Sequence, residues 1–189
     1  MTRIIAGKLG SLRLAGPAKA TRPTSDRVKE SVFAKLDALD ALDNSIVWDL
    51  FAGTGALGLE ALSRGAKAVV LVEADRSAAE VCKQNIAKAL LGLSKQNAAG
   101  TVSLKNVRVE KFLAGQSTKA NLVLLDPPYD FEPAGLSSIL QALTTLVEEH
   151  GLIVLETSSK AKQPELPNGL VLEDTKTYGD TAVWFLTLG

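Results

Sequence analysis

Three apolar runs in this 189-residue chain end in, or one residue beyond, a carboxylate. They are Ser45–Leu50 (SIVWDL, with Asp49 near its end), Ala68–Glu73 (AVVLVE) and Ala120–Asp126 (ANLVLLD). None alternates polar with apolar, so each is a strand buried on both faces, as happens in parallel sheets covered by helices. Helical patterns fall between them: ALGLEALSRG, closed by Gly65, and SAAEVCKQNIAKALLGL, with Cys82, Ile86, Ala89 and Leu90 facing inward. Strands separated by helices in this way predict an α/β fold with a mostly parallel sheet.

The rest of the chain extends the pattern. Residues 101–109 read as a third strand, GLSSILQALTTLVEEHG as a helix and LIVLE as a strand. LVLEDTKTY and TAVWFLTL, joined by the turn YGDT, form an antiparallel pair, which brings the expected sheet to seven strands. At the other end, TRIIAGKLGSLRL predicts a β-hairpin about Gly7–Gly10. A helix then follows, with Thr24, Ser25 and Asp26 as N-cap candidates and Val28, Val32, Leu36 and Leu39 on one face. The expected organisation is a basic hairpin and arm over residues 1–25 and a catalytic domain over 26–189. LLGLSKQNAAGTVSL is long for the linker it occupies, and the sequence suggests no role for it.

Between the first two carboxylates lies DLFAGTGALGLEAL, with glycines at 53, 55 and 58. Gly53 and Gly55 allow a tight turn and close approach of backbone to ligand. Glu73, at the end of the next strand, suits the two hydroxyls of a ribose. An adenosine-bearing cofactor is expected. Asp49 in D-x-F-x-G-x-G is unlike the apolar lead-in to a dinucleotide turn, and nothing here supplies hydride chemistry. The pattern is similar to motif I and the acidic loop of S-adenosylmethionine-dependent methyltransferases, which implies that the turn holds the amino-acid portion of that cofactor.

The third carboxylate opens Asp126-Pro127-Pro128-Tyr129. An exocyclic amine on a base is a poor nucleophile, because its lone pair is delocalised into the ring. The Asp126 carboxylate and the Pro127 carbonyl can accept its two N–H groups and favour a pyramidal nitrogen. The two prolines stiffen the acceptors in advance of substrate. Tyr129 offers a face for a flipped base, unless the ring packs into the core.

Charge points to a polyanion. The chain is neutral overall, yet residues 1–30 hold seven Lys/Arg against Asp26 and Glu30, leaving the remainder net acidic. Arg3, Lys8 and Arg13 are therefore candidate substrate contacts, although a solvated basic face explains them as well. No apolar run is long enough to span a membrane, and MTRIIAGKLG has too short an apolar core for a signal peptide. Cys82 is the one cysteine, so no internal disulfide forms, which suits the cytoplasm. With one histidine beside it, a zinc site is not expected. Nothing calls for more than a monomer. His150, before Gly151, reads as a helix-end residue, and Cys82, Trp48 and Trp184 read as core.

RIIAGK, TRPTSDRVKESVF, DLFAGTGALGLEALSRGA, VVLVEAD, LDPPY, GLIVLE and YGDTAVWF together resemble the RsmD family, bacterial methyltransferases of guanine N2 in 16S rRNA. The resemblance runs from end to end. It implies a Rossmann-like methyltransferase fold, S-adenosylmethionine as cofactor and 16S rRNA, in the small ribosomal subunit or its assembly intermediate, as partner. Asp49, Gly53, Gly55 and Glu73 would hold the cofactor, and Asp126, Pro127, Pro128 and Tyr129 the base. Relatives carry Asp where the adenine amino group is met; Glu110 is the nearest equivalent here. Arg22, Thr24 and Arg27 fall in a segment implied to lie over the active site, although Thr24 reads equally as a helix cap and Arg27 as a surface residue. Ser11 and Leu12 stand where relatives carry basic residues. A DNA adenine-N6 methyltransferase would use the same DPPY chemistry and is the alternative.

Overall fold

In the computed structural model, which describes residues 2–16 and 26–189, seven strands form one sheet in the order β3-β2-β1-β4-β5-β7-β6. In chain order the elements are α1 (Asp26–Ala38), β1 (Ile46–Asp49), α2 (Ala56–Ser63), β2 (Ala68–Val72), α3 (Arg76–Lys95) and β3 (Thr101–Lys105). There follow α4 (Val109–Ala114), β4 (Ala120–Leu125), α5 (Pro133–Leu146), β5 (Val147–Ser158), β6 (Leu170–Tyr178) and β7 (Thr181–Leu188). The first five strands pair in parallel, and β7 runs antiparallel to both β5 and β6.

Successive strand residues point to opposite faces, and here both faces are apolar and covered. Val47, Leu122, Leu124 and Val154 pack beneath α1, α2 and α3. Trp48, Val123, Leu125 and Ile153 pack beneath α4 and α5 on the other side. Trp48 meets Phe112 of α4 edge to face, with centroids 5.1 Å apart. Thus the continuous apolar runs, which no one-sided sheet would tolerate, are accounted for residue by residue.

Residues 2–16 pack on the α2–α3 face. Ile4, Leu9 and Leu14 are fully buried there. The expected hairpin is present in outline only. Ladder bonds join Thr2 to Leu14 and Ile4 to Leu12, but the turn is a 3-10 helix at Gly7–Leu9, and a single bridge, Arg3 to Arg13, replaces continuous strands. The segment is fastened by polar groups of α2. Glu60, with no exposure, accepts from Ile5 N (2.7 Å) and Ala6 N (3.1 Å) and pairs with Arg64. Ser63 Oγ accepts from Leu9 N and donates to Ala6 O.

Several expectations need correction. Leu39 lies past the end of α1, and Leu90 faces outward on α3; both are exposed. Residues 101–109 are not one strand, because β3 stops at Lys105 and Val109 opens α4. The stretch from Leu90 to Leu104 is no linker: α3 continues through Lys95 and β3 begins at Thr101. The helix expected to reach Gly151 ends at Leu146, so His150 belongs to β5 and caps nothing. Val147 pairs with Ala120 and Leu152 with Leu122, so the residues between bulge outward. Trp184 is half-buried rather than core, with its indole N–H donating to Thr157 Oγ1.

Candidate active site

The carboxyl ends of β1, β2 and β4 converge where the order of strands reverses, the place at which open α/β sheets bind ligands. Leu50 N donates to Leu124 O and Ala52 N to Val72 O, so the turn after β1 is sewn to both neighbouring strands. Each glycine in it answers a different demand. Gly53 has φ +53° and, were it to carry a Cβ, that atom would meet nothing within 4 Å among the described residues. Gly55 has φ +82°, and a Cβ there would come within 2.9 Å of Cys82 Sγ. At Gly58 a Cβ would meet Leu71 Cδ2 at 2.2 Å, so only glycine lets α2 lie this close to β2.

Asp49 is buried beneath this turn. Its Oδ2 accepts from Gly58 N at 2.9 Å, while its Oδ1 has no partner among the described residues. Burial pushes its carboxyl up to about 7; the Gly58 N–H opposes that shift, and the charges of Asp126 and Glu73 add to it. Glu73 Oε2 accepts from Gly53 N (2.8 Å) and Oε1 from Asp75 N (2.7 Å). Those bonds leave each oxygen a further lone pair. Cys82, below the turn, has its thiol pushed up to about 12 by burial and by Asp49 and Glu73, so it stays protonated and inert.

Asp126 follows β4 directly, beside the turn, and Pro127 is half-buried. Tyr129 is not core: it is 60% exposed. Phe51 of the turn meets Phe131 of the loop edge to face at 5.1 Å, joining the two halves of the site. Beyond the loop a cavity of about 590 Å³ opens between α5 and the β5–β6 connection, lined by Pro127, Pro128, Tyr129, Thr157 and Lys162 among others.

The remaining sequence candidates divide. Arg3, Lys8, Arg13 and Arg27 are exposed. Lys29, counted in the basic arm, is buried against Glu60 and donates to Arg3 O, so it contributes nothing to a polyanion surface. Arg22 and Thr24 lie outside the described residues. Glu110 sits exposed in the first turn of α4 and takes no part in the hydrogen bonds that knit the glycine turn among the described residues. Sequence reasoning missed three participants. Asn85 reaches the glycine turn from α3, Asn106 ties β3 to the backbone at Glu73 and Ala74, and Phe51 braces the two loops. Their signal was slight: an asparagine on the inward face of an apolar helix, and a lone aromatic inside a glycine turn.

A seven-stranded sheet with one reversed strand, and acidic residues at the ends of β1, β2 and β4, defines the Rossmann-like methyltransferases. The chain matches the family described as Conserved hypothetical protein 95 over residues 2–187. It is 36% identical to YlbH of Bacillus subtilis (strain 168), with 96% of each chain covered. It is 33% identical to Ribosomal RNA small subunit methyltransferase D of Escherichia coli (strain K12), over 95% of this chain and 86% of that one. A solved hypothetical protein of Thermus thermophilus superposes with a TM-score of 0.82 at 30% identity, covering both chains fully. This protein belongs to that family, the RsmD family of S-adenosylmethionine-dependent methyltransferases. The site suits such a cofactor in two respects: among the described residues, a buried carboxylate oxygen beneath the turn has no partner, and the space over Gly53 is open.

Proposed function

We propose that this chain methylates the exocyclic N2 amine of a guanine in 16S rRNA, within the small ribosomal subunit or its assembly intermediate. The carrying observation is the adjacency of two loops: the DPPY acceptors follow β4, and β4 pairs directly with β1, which ends in Asp49. S-adenosylmethionine, when bound, supplies a methyl group already activated on a sulfonium. The protein therefore has chiefly to hold two partners in line.

Asp49 would hold the amino-acid portion through the oxygen that has no partner among the described residues, Gly53 and Gly55 would admit it, and Glu73 would hold the ribose hydroxyls. Glu110 is assigned the adenine amino group by position in the chain. On the substrate side, Asp126 and the Pro127 carbonyl would accept the two N–H groups of the guanine amine and set its lone pair for transfer, and Asp126 would take up the proton that the methylated nitrogen sheds. Tyr129 stacks on the flipped base, with Pro128 stiffening the loop. The cavity beyond Tyr129 is large enough for a nucleotide. Arg3, Lys8, Arg13, Arg22 and Arg27, with Thr24, meet the RNA backbone, which makes residues 1–25 a docking arm and 26–189 the catalytic domain. The relatives' names support the ribosomal target. We place the chain in the cytoplasm as a monomer, and among the described residues no helix is long and apolar enough to cross a membrane.

The test is transfer from radiolabelled S-adenosylmethionine to undermethylated small subunits, free 16S rRNA and unmethylated DNA, with products digested to nucleosides. N2-methylguanosine from a ribosomal substrate is the expected result. N6-methyladenine from DNA would retain the DPPY chemistry and overturn the target.

A further inference from the structure

Asn85 is fully buried in the middle of α3, and its carboxamide is spent on two distant parts of the chain. Its Oδ1 accepts from Ala15 N at 2.8 Å, and its Nδ2 donates to Ala15 O at 3.1 Å. The same Nδ2 donates to Thr54 O at 2.9 Å, between the two glycines of the turn. One side chain thus holds both main-chain groups of Ala15, like a neighbouring strand, and fixes the carbonyl about which Gly53 and Gly55 take their positive φ.

The other polar fastenings of the N-terminal segment go to Glu60 and Ser63 of α2, to Lys29 of α1 and to Gln96 just past α3, and none of these side chains hydrogen-bonds to the turn. Among the described residues, Asn85 is the side chain that joins both. An amide has two donors and one acceptor oxygen, and here all three are engaged. Aspartate lacks the donors and a hydrophobic residue lacks everything, so the link depends on this side chain.

We propose that Asn85 is a positioning residue that couples docking of the N-terminal segment to occupancy of the glycine turn. That segment carries Arg3, Lys8 and Arg13, so cofactor and polyanion each strengthen the binding of the other. Such coupling is reciprocal by necessity, and values of about 5- to 150-fold are usual for it. The inference rests on the reading of the turn as the cofactor site.

The test uses S-adenosylhomocysteine, which binds without reacting. Hydrogen exchange is followed in the full-length wild type with and without it. Exchange at Leu14 and Ala15 should slow severalfold on binding, while the amides of β6, remote from the turn, change little. A uniform change or none would overturn the coupling. Calorimetric titration then compares Asn85→Ala with Ser63→Ala, which loosens the same segment at its other attachment. Asn85→Ala should weaken binding by about tenfold and Ser63→Ala by less than about twofold. Equal losses would mean that segment stability alone matters, and wild-type affinity in Asn85→Ala would sink the proposal. Failure of the wild type to bind at all would instead remove the reading of the site, and the inference with it.

Discussion

Replacing Asp49 by Asn should make the cofactor-free protein more heat-stable while depriving it of cofactor. The folded carboxyl is raised to about 7 by burial, by Asp126 and by Glu73, against about 3.9 in an unfolded chain. Between those values the folded state holds more protons on this residue than the unfolded state, so stability falls as pH rises. Above about pH 7 the loss is complete, and at about 1.4 kcal/mol per pKa unit it reaches roughly 4 kcal/mol. Asparagine abolishes that charge and keeps an oxygen for Gly58 N–H. Its NH₂ group occupies the place of Oδ1, which lacks a partner among the described residues, at a cost of about 1–3 kcal/mol. The net gain at pH 8 is about 1–3 kcal/mol, or ~3–10 °C in Tm for a chain of this length. At pH 4.5 the wild-type group is already neutral in the fold, and the advantage should vanish or reverse. Scanning calorimetry at pH 4.5, 6 and 8 measures this, with S-adenosylhomocysteine titration alongside. A variant that melts lower than wild type at pH 8, or whose advantage does not grow with pH, would refute the reasoning.

Asp126→Ala should nearly abolish transfer while leaving S-adenosylhomocysteine affinity within about threefold; near-normal methylation would contradict the role given to the carboxylate. Tyr129→Ala removes an exposed ring, so its Tm should move little, whereas the KM for RNA should rise about 5- to 150-fold if stacking contributes about 1–3 kcal/mol. An unchanged KM would put the base elsewhere. Glu60→Ala leaves Lys29 and Arg64 without a buried counter-charge and Ile5 and Ala6 without an acceptor. A loss of about 3–5 kcal/mol in urea unfolding is expected, and a loss under 1 kcal/mol would show that the cluster is incidental.

The parallel core and its three terminal carboxylates were legible because a two-sided buried strand must be apolar throughout, so an acid at its end stands out. The short helix α4 was not legible: six residues hold too little periodicity to separate from a strand end. Nor was the passage of Val147 into β5, where VEEH reads as helix but Val147 pairs with Ala120 across a bulge. Glu60, Lys29 and Asn85 escaped for another reason. Polar residues on helices read as solvated, and only the packing of residues 2–16 over α2 and α3 puts them inside.

The pairing of β4 with β1 also fixes when the site can come into being. β1 and β2 are separated by a single helix, so the glycine turn and Glu73 can be brought together by contacts near in sequence. Asp126 reaches them only after β4 has inserted beside β1, past two intervening strands and two further helices. Contacts so distant along the chain form slowly, because loop closure must precede them. On synthesis, the half proposed to recognise the cofactor can take shape before the half proposed to activate the amine has left the ribosome. Competence for transfer is thus a late event of folding, reached only when β4 seals the middle of the sheet.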